Sequence, residues 1–263
     1  MTGPAFDPVP RTIHQTWKTE DIPDAWKPYQ QSWLQAHQDW RYVLWTDAAN
    51  RALIAERYPA FLPTYDAFPR DIQRVDAAKY FILYTHGGVY VDLDCECVKP
   101  IDPLIARGGA IVGRTRDGVI ECALFASPPG HPLWEVAFRR MRSPGLFARL
   151  LGRVPLPVPQ ASHVLLTTGT RMMAGAVREY GAALSRGAAR AGLTVHPPVH
   201  FSSRSWLARF ESFNGADAFV RHHYSDSWLL ASERRALEWF TMRKLRWAAG
   251  ALVGLAALLA ATC

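Results

Sequence analysis

The stretch Gly87–Cys97, GGVYVDLDCEC, joins a glycine pair to an apolar strand that ends in two aspartates. Side chains alternate faces along a strand, so the sequence predicts that Asp92 and Asp94 point the same way, with their Cα atoms roughly 7 Å apart. Two such carboxylates repel each other and resist burial. A bound cation would relieve both costs, whereas a strand that ends in solvent would leave both groups hydrated. The motif alone leaves these two interpretations open.

Composition narrows the class of protein. The chain has 263 residues, 49% of them hydrophobic and 20% charged, which is typical of a globular protein with a full core. A net charge of +7 favours anionic partners such as nucleotides or a phospholipid surface. We expect no nucleic-acid partner, because no helix-turn-helix, zinc-finger or RNA-recognition signature is present. Four cysteines without a C-x-x-C pair indicate core thiols rather than structural zinc.

Hydrophobic periodicity predicts alternating strands and helices. Strands are predicted at 10–17, 40–45, 89–93, 110–113 and 119–126, and helices at 24–37, 47–58, 69–86, 131–141 and 169–180. Asp47 is the expected N-cap of the second helix, and 143–160 is expected to be a loop or a surface-lying helix. This alternation predicts an α/β domain with a mostly parallel sheet over residues 1–230.

The end of the chain has a different composition. Residues 247–263 are apolar and carry no charge, and basic and aromatic side chains precede them. We therefore predict a C-terminal tail over 231–263, first basic and amphipathic and then a hydrophobic helix, that associates with the cytoplasmic face of an anionic membrane. The alternative is a hydrophobic helix docked on the protein's own core.

The helix before the opening stretch carries Asp76 and Lys79, which lie one turn apart. Taken alone, this spacing indicates a solvated ion pair on a helix surface. Its position changes that interpretation, because the helix leads directly into the glycine pair and the two aspartates.

A longer pattern runs through this helix and strand. Arg74 to Tyr80 reads R-x-D-x-x-K-Y, and Leu83 to Asp94 reads L-Y-x-x-G-G-V-Y-x-D-x-D. This block resembles glycosyltransferase family 32, whose sugar-binding region contains a D-x-D motif. Weaker matches follow in the expected order: IHQTWKT at 13–19, LWTD at 44–47, TTGT at 167–170 and HHYSDSW at 222–228. The resemblance therefore covers most of residues 9–230.

The resemblance implies a GT-A fold, a nucleotide-sugar donor and a divalent ion, Mn²⁺ or Mg²⁺. It implies Asp94 as a direct metal ligand, with Asp92 acting through water or on the donor. His222 or His223 would complete the metal set of Asp92, Asp94, His222 and His223. The implied catalytic residues are Asp92, Asp94 and Asp76. The implied donor-binding residues are Gln15, Thr16, Trp17, Asp76, Lys79, Tyr80, Gly88, Asp92, Ser227 and Trp228.

One residue of this chain departs from the family pattern, and no residue is assigned as a general base. The family more often has arginine where this chain has Lys79, which puts bidentate gripping of phosphate in doubt while keeping the charge. Glu96 and Glu121 are acidic groups near the predicted sheet end, and neither is assigned as a base. The family is expected to retain the anomeric configuration, and the leaving phosphate can then take the acceptor proton.

The favoured function is transfer of a hexose, with mannose from GDP-mannose preferred, to a lipid-linked or polysaccharide acceptor at a membrane. UDP-linked galactose, glucose or N-acetylglucosamine is the alternative donor. Two other classes are kept open. One is a haloacid-dehalogenase-type phosphohydrolase, which also places Asp-x-Asp at a strand end. The other is a membrane-tethered sugar-binding protein, which would use the same site without catalysing a reaction.

Overall fold

The computed structural model describes residues 6–115, 118–151, 153–154, 157–201, 217–223, 225, 231–233, 235 and 239. A six-stranded sheet has the strand order β2-β1-β3-β6-β5-β7, and a two-stranded sheet pairs β4 with β8. The strands are β1 Thr12–Trp17, β2 Arg41–Thr46, β3 Gly88–Val91, β4 Cys95–Cys97, β5 Ala110–Arg114, β6 Ile120–Ser127, β7 Leu193–His196 and β8 Val220–His222.

Helices connect these strands. They are α1 Lys27–Ala36, α2 Asp47–Arg57, α3 Leu62–Asp66, α4 Asp71–His86, α5 Asp102–Ile105, α6 Pro132–Arg142, α7 Leu146–Leu151, α8 Pro157–Thr167 and α9 Thr170–Ser185. The predicted α/β class is confirmed. The sheet is mixed and mostly parallel, because β1 pairs in parallel with β2 and β3, and β5 with β7, while β6 is antiparallel to both β3 and β5.

The sheet has a hydrophobic core on each face. In β3 the alternation is direct, since Tyr90 packs into one cluster with α4 and α6, while Val89 and Val91 pack into the other with Trp33 of α1. Helices on both faces of a largely parallel sheet give a three-layer arrangement. All four residues of β3 are therefore buried, as the apolar run predicts.

Two local predictions are corrected by the structure. The N-cap of α2 is Thr46 rather than Asp47, because the Thr46 Oγ1 accepts a hydrogen bond of 3.1 Å from the Ala49 N–H. Asp47 instead is the first residue of the helix, where its negative charge interacts favourably with the helix dipole. The segment 143–160 does contain a surface-lying helix, α7, but this helix covers only 146–151, and the first turn of α8 follows in the same segment.

A glycine pair makes the turn from α4 into β3. Gly87 and Gly88 have φ angles of 63° and 94°, in the region that side chains disfavour. A Cβ atom on Gly88 would lie 2.6 Å from the Thr12 carbonyl oxygen of the neighbouring strand. Gly88 is therefore required by the backbone at the start of β3, at the opposite end of that strand from Asp92.

His14 on β1 is a buried, neutral histidine. Its Nε2–H donates to the Gly87 carbonyl at 3.0 Å, and its Nδ1 accepts from the Trp45 indole N–H at 3.0 Å. A second proton on Nδ1 would face that indole donor. Burial lowers the pKa of His14 to about 4.

Acidification from pH 7.5 to 5 is expected to reduce the free energy of unfolding by about 2 kcal/mol through His14 alone. The folded pKa of about 4 lies below the ordinary value of 6.5, so the unfolded chain binds this proton first. The contribution is thus complete above pH 6.5 and is lost as the pH falls toward 4. Urea unfolding at both pH values should show a smaller pH dependence for His14→Gln. An unchanged pH dependence in that variant would contradict the assignment.

The C-terminal tail falls largely outside the described residues, and its predicted hydrophobic helix at 247–263 falls there entirely. Within the ranges that the structure covers, no helix is both long and apolar enough to cross a bilayer. The division of the chain at residue 230 therefore stays a prediction.

Candidate active site

The two aspartates of the D-x-D motif lie in a turn beyond β3. The strand ends at Val91, the Asp92 N–H still donates to the Ala123 carbonyl at 2.8 Å, and the Cys95 N–H closes the turn on the Asp92 carbonyl at 3.1 Å. The prediction that both aspartates extend one strand is therefore wrong. The turn sends the chain into β4, so the two carboxylates meet different neighbours.

Asp94 is contacted by the last residue of β8 and by the residues that follow this strand. Strands β4 and β8 pair antiparallel with Cys95 opposite His222, which brings the C-terminal segment over the turn. The Asp94 Oδ1 lies 3.4 Å from the His222 Nε2, and its Oδ2 accepts the Ser225 N–H at 2.9 Å. The Asp94 carbonyl accepts the His223 N–H at 2.9 Å. Backbone pairing thus fixes a histidine beside the second aspartate of the motif.

His222 lies between two carboxylates. Its Nδ1 is 3.8 Å from the Oε1 of Glu121, a buried residue on β6, and its Nε2 faces Asp94. Burial would lower the pKa of His222, but hydrogen bonds and charge from Asp94 and Glu121 raise it to about 10. Burial likewise acts to raise the pKa of Asp94, and His222 with the Ser225 N–H holds it well below the ordinary value. A positive charge in this position is thus strongly favoured.

Lys79 and Asp76 form a buried ion pair rather than a solvated one. The Lys79 side chain is 2% exposed, and its Nζ lies 2.9 Å from the Asp76 Oδ1 and 3.6 Å from the Asp92 Oδ1. The same ammonium donates to the Cys122 carbonyl at 3.1 Å. Burial alone would lower the pKa of Lys79, yet Asp92 and Asp76 raise it well above its ordinary value. Lys79 is therefore a fixed cation beneath both carboxylates.

Asp92 is the more accessible of the two carboxylates that lie near Lys79. Its side chain is 31% exposed, and its Oδ1 accepts the Tyr90 hydroxyl at 2.8 Å. Burial and the nearby Asp94 raise the pKa of Asp92 to about 6, and the charge of Lys79 opposes that rise. Asp92 can thus contact a ligand on its exposed side, while the buried Lys79 balances the charge of the Asp92 carboxylate.

The first-strand residues approach the same region. The Gln15 Nε2 donates to the Asp92 carbonyl at 3.5 Å, and the Gln15 Oε1 accepts the Tyr42 hydroxyl at 2.9 Å. Thr16 continues this network, since its Oγ1 lies 2.7 Å from the Tyr90 hydroxyl that donates to Asp92. Trp17 follows at the strand exit, half-buried and edge-on to Trp26 with ring centroids 4.5 Å apart. The structure therefore brings Gln15, Thr16 and Asp92 together.

Other predicted site residues lie elsewhere. Tyr80 is buried in the core, where its hydroxyl donates to the Thr168 carbonyl at 2.7 Å, so it supports the site from beneath. Gly88 lies at the far end of β3 and serves the glycine turn. His223 stacks on Tyr29 with ring centroids 4.1 Å apart and faces Glu96 rather than Asp94. Ser227 and Trp228 lie outside the described residues.

Three residues join the site that the sequence did not assign to it. Glu121 faces His222, and Cys95 places its thiol in a group with Asp94 and His222 whose ligand atoms lie within 4.8 Å of one another. Thr168 donates its hydroxyl to the Asp76 Oδ2 at 2.9 Å. The TTGT match pointed to Thr168, whereas Glu121 needed the pairing of β6 with β3 to be known.

The donor set fits a divalent cation. Asp94 and His222 offer an oxygen and a nitrogen ligand on the same side of the turn, and the carboxylates of Asp92 and Glu121 lie beside them. The concentration of buried acid around one histidine is the observation that supports a cation here, because uncompensated carboxylates are costly to bury. The carboxylates suit Mg²⁺ or Mn²⁺, whereas the Cys95 thiol in the same group is a ligand that softer metals prefer.

The D-x-D turn lies inside a region that matches a known family. The family model for the glycosyltransferase sugar-binding region containing the DXD motif matches residues 23–109. Inositol phosphoceramide mannosyltransferase 2 of Schizosaccharomyces pombe is 42% identical over 133 residues, 51% of this chain and 38% of that protein. Inositol phosphoceramide mannosyltransferase 1 of the same yeast is 33% identical over 226 residues, 85% of this chain and 63% of that protein.

A third relative is the mannosyl phosphorylinositol ceramide synthase SUR1 of Saccharomyces cerevisiae, 42% identical over 134 residues, 51% of this chain and 35% of that protein. This chain thus spans between about a third and two thirds of the length of these relatives. Among solved structures, the PaToxG glycosyltransferase matches with a TM-score of 0.46 and 15% sequence identity. The match covers 69% of this chain and 73% of the PaToxG chain.

The D-x-D turn and the buried Asp76 and Lys79 all lie inside the matched region. The resemblance to glycosyltransferases with this sugar-binding region is confirmed over residues 23–109. The phosphohydrolase alternative has no support in these comparisons.

Proposed function

We propose that this chain is a metal-dependent mannosyltransferase that moves mannose from GDP-mannose to a lipid-linked acceptor, with a polysaccharide acceptor as the alternative. The observation that carries the proposal is the convergence of Asp94, His222 and Asp92 above the buried pair of Asp76 and Lys79. The relatives matched over this same region are named as mannosyltransferases or a mannosyl synthase acting on inositol phosphoceramide. Their names support mannose over the sugars carried by UDP.

The residues have separable parts in this proposal. Asp94 and His222 would hold Mn²⁺ or Mg²⁺, with Asp92 contributing through water, and the bound ion would supply positive charge to the donor diphosphate. Asp76 and Asp92 would accept hydrogen bonds from donor sugar and ribose hydroxyls. Lys79 holds both carboxylates in place, because its ammonium lies within 3.6 Å of both of them. Gln15, Thr16 and Trp17 would meet the nucleotide.

The group transfer itself is proposed to retain the anomeric configuration. The bond from the sugar C1 to the diphosphate oxygen breaks, and a bond from C1 to the acceptor oxygen forms on the same face. The acceptor hydroxyl proton passes to the departing phosphate oxygen, so atoms and charge balance without a protein base. This agrees with the assignments of Glu121 and Asp94, whose carboxylates both face His222 rather than open space.

The reaction is proposed to take place at the cytoplasmic face of a membrane. The apolar sequence at 247–263, with arginines and aromatic residues before it, supports a membrane-associating tail. A lipid-linked acceptor requires an enzyme that reaches a bilayer, so this location and the proposed acceptor are consistent with each other.

Titration calorimetry tests the donor. GDP-mannose is expected to bind in the presence of Mn²⁺ and to bind at least tenfold more weakly after EDTA treatment, while UDP-glucose and UDP-N-acetylglucosamine bind more weakly in both conditions. Transfer of radiolabelled mannose from GDP-mannose to an inositol phosphoceramide then tests the acceptor. Preferred binding of a UDP-sugar would overturn the choice of donor. Binding of no donor with any metal would favour the non-catalytic alternative.

A further inference from the structure

Helix α7, Leu146–Leu151, holds large apolar side chains out in solvent. Leu146 is 71% exposed, Phe147 68% and Leu150 50%. Ala148 between them is buried, so the helix is seated on the protein by its other side. Apolar side chains exposed together in this way mark a contact surface rather than ordinary scatter.

The sequence before and after this helix is rich in arginine. Between Val136 and Arg178 the sequence has seven arginines and no carboxylate, while the net charge of the whole chain is +7. Arg139 and Arg140, at the end of α6, pair with Glu179. Arg149 on α7 and Arg153 just after it are exposed. Two exposed cations, Arg149 and Arg153, thus lie on and just after the helix that holds the apolar side chains.

We propose that α7 docks this protein on an anionic phospholipid surface, with Leu146, Phe147 and Leu150 inserted at the headgroup level. The set formed by these three residues with Arg149 and Arg153 is termed the docking face. Short apolar faces framed by arginines match the charge and polarity of an anionic lipid interface. A neutral apolar partner would leave the arginines without counter-charge, which favours lipid over a protein groove.

The docking face lies one helix away from the site. Helix α7 packs against α8, whose 11 residues span about 16 Å and end at Thr167. The next residue, Thr168, donates its hydroxyl to Asp76. A lipid acceptor would therefore enter the site from the surface on which α7 rests. This last step rests on the proposed function, whereas docking itself does not.

A fluorophore placed on the helix tests insertion in the full-length chain. The Phe147→Cys variant, in a Cys263→Ser background, is labelled with an environment-sensitive dye, because Cys95, Cys97 and Cys122 are buried. The vesicles contain phosphatidylcholine and roughly 30% phosphatidylglycerol, which makes their surface anionic. With these vesicles we expect a blue-shifted emission that lipid-borne quenchers reduce. The control is Val199→Cys, a 45% exposed valine in the 3₁₀ turn Pro198–Phe201, which should not shift.

A second pair of variants tests the charge. Arg149→Gln with Arg153→Gln is expected to weaken binding to these vesicles roughly 30-fold, since each arginine near the surface contributes a factor of about five. The matched control is Arg186→Gln with Arg190→Gln, which removes two exposed arginines just beyond α9 and should leave vesicle affinity within about twofold.

Several outcomes would overturn the proposal. If the chain binds vesicles but the dye at 147 does not shift, another segment carries the membrane contact. If the dye shifts without vesicles and the shift grows with protein concentration, the docking face is an interface between copies. Equal binding to neutral vesicles would remove the role of the arginines. Insertion without mannose transfer would sustain the docking face and count against the proposed function alone.

Discussion

Asp94→Asn is expected to lower transferase activity about 10³-fold and to abolish the Mn²⁺-dependent part of donor binding. Asparagine keeps one oxygen acceptor for the Ser225 N–H but removes the charge that faces His222 and the proposed metal. Calorimetry with GDP-mannose, with and without Mn²⁺, measures the binding loss, and a mannose-transfer assay measures the activity loss. The variant should stay folded, because the backbone pairing of β4 with β8 does not involve the carboxylate.

The control for this variant is Asp39→Asn, which makes the same chemical change in a surface pair with Arg11. It is expected to bind donor and metal like the unchanged chain. If Asp94→Asn also keeps full Mn²⁺-dependent binding, Asp94 is not the metal ligand and the site assignment fails. If both variants lose binding equally, the loss reflects net charge rather than a specific site.

Lys79→Met is expected to lower the free energy of unfolding by about 3–5 kcal/mol, a large part of a typical domain's stability. Methionine fills a similar volume but leaves Asp76 and Asp92 without the ammonium that lies within 3.6 Å of both. Removing one partner of a buried pair costs far more than the pair itself contributes. Urea unfolding followed by tryptophan fluorescence measures the change.

Two further variants separate charge from packing. Asp76→Asn combined with Lys79→Met should recover part of the loss, because one of the two uncompensated carboxylates is gone. Lys27→Met removes a lysine with the same i,i+3 spacing from Asp24 on the surface, and it should leave unfolding nearly unchanged. A loss in Lys79→Met no larger than in Lys27→Met would show that burial gives this ion pair no special weight.

The strands and helices near the D-x-D motif were predictable from local signals. Residues 88–91 form a buried strand because the apolar run is bounded by a glycine pair and two aspartates, and α4 has clear helical spacing before it. Burial of Asp76 and Lys79 was not predictable from spacing alone. Their burial depends on tertiary packing, which brings the Thr168 hydroxyl to Asp76 and the Cys122 carbonyl of β6 to Lys79.

The parts of the site that depend on long-range pairing needed the structure. No local signal indicates that β6 lies antiparallel between β3 and β5, so the place of Glu121 beside His222 could not be deduced. The choice between His222 and His223 likewise depends on the register of β4 with β8. The family resemblance named both histidines, and the observed register brings His222 to Asp94 while His223 meets Glu96.

The pairing of β4 with β8 also has a consequence for synthesis of the protein. The last strand of the six-stranded sheet, β7, is complete at His196, whereas His222 and the Ser225 N–H emerge from the ribosome later. A nascent chain can therefore assemble its main sheet before Asp94 has its partners. Premature termination between these points would yield a chain that retains the main sheet and the Asp76–Lys79 pair but has only half of a cation site.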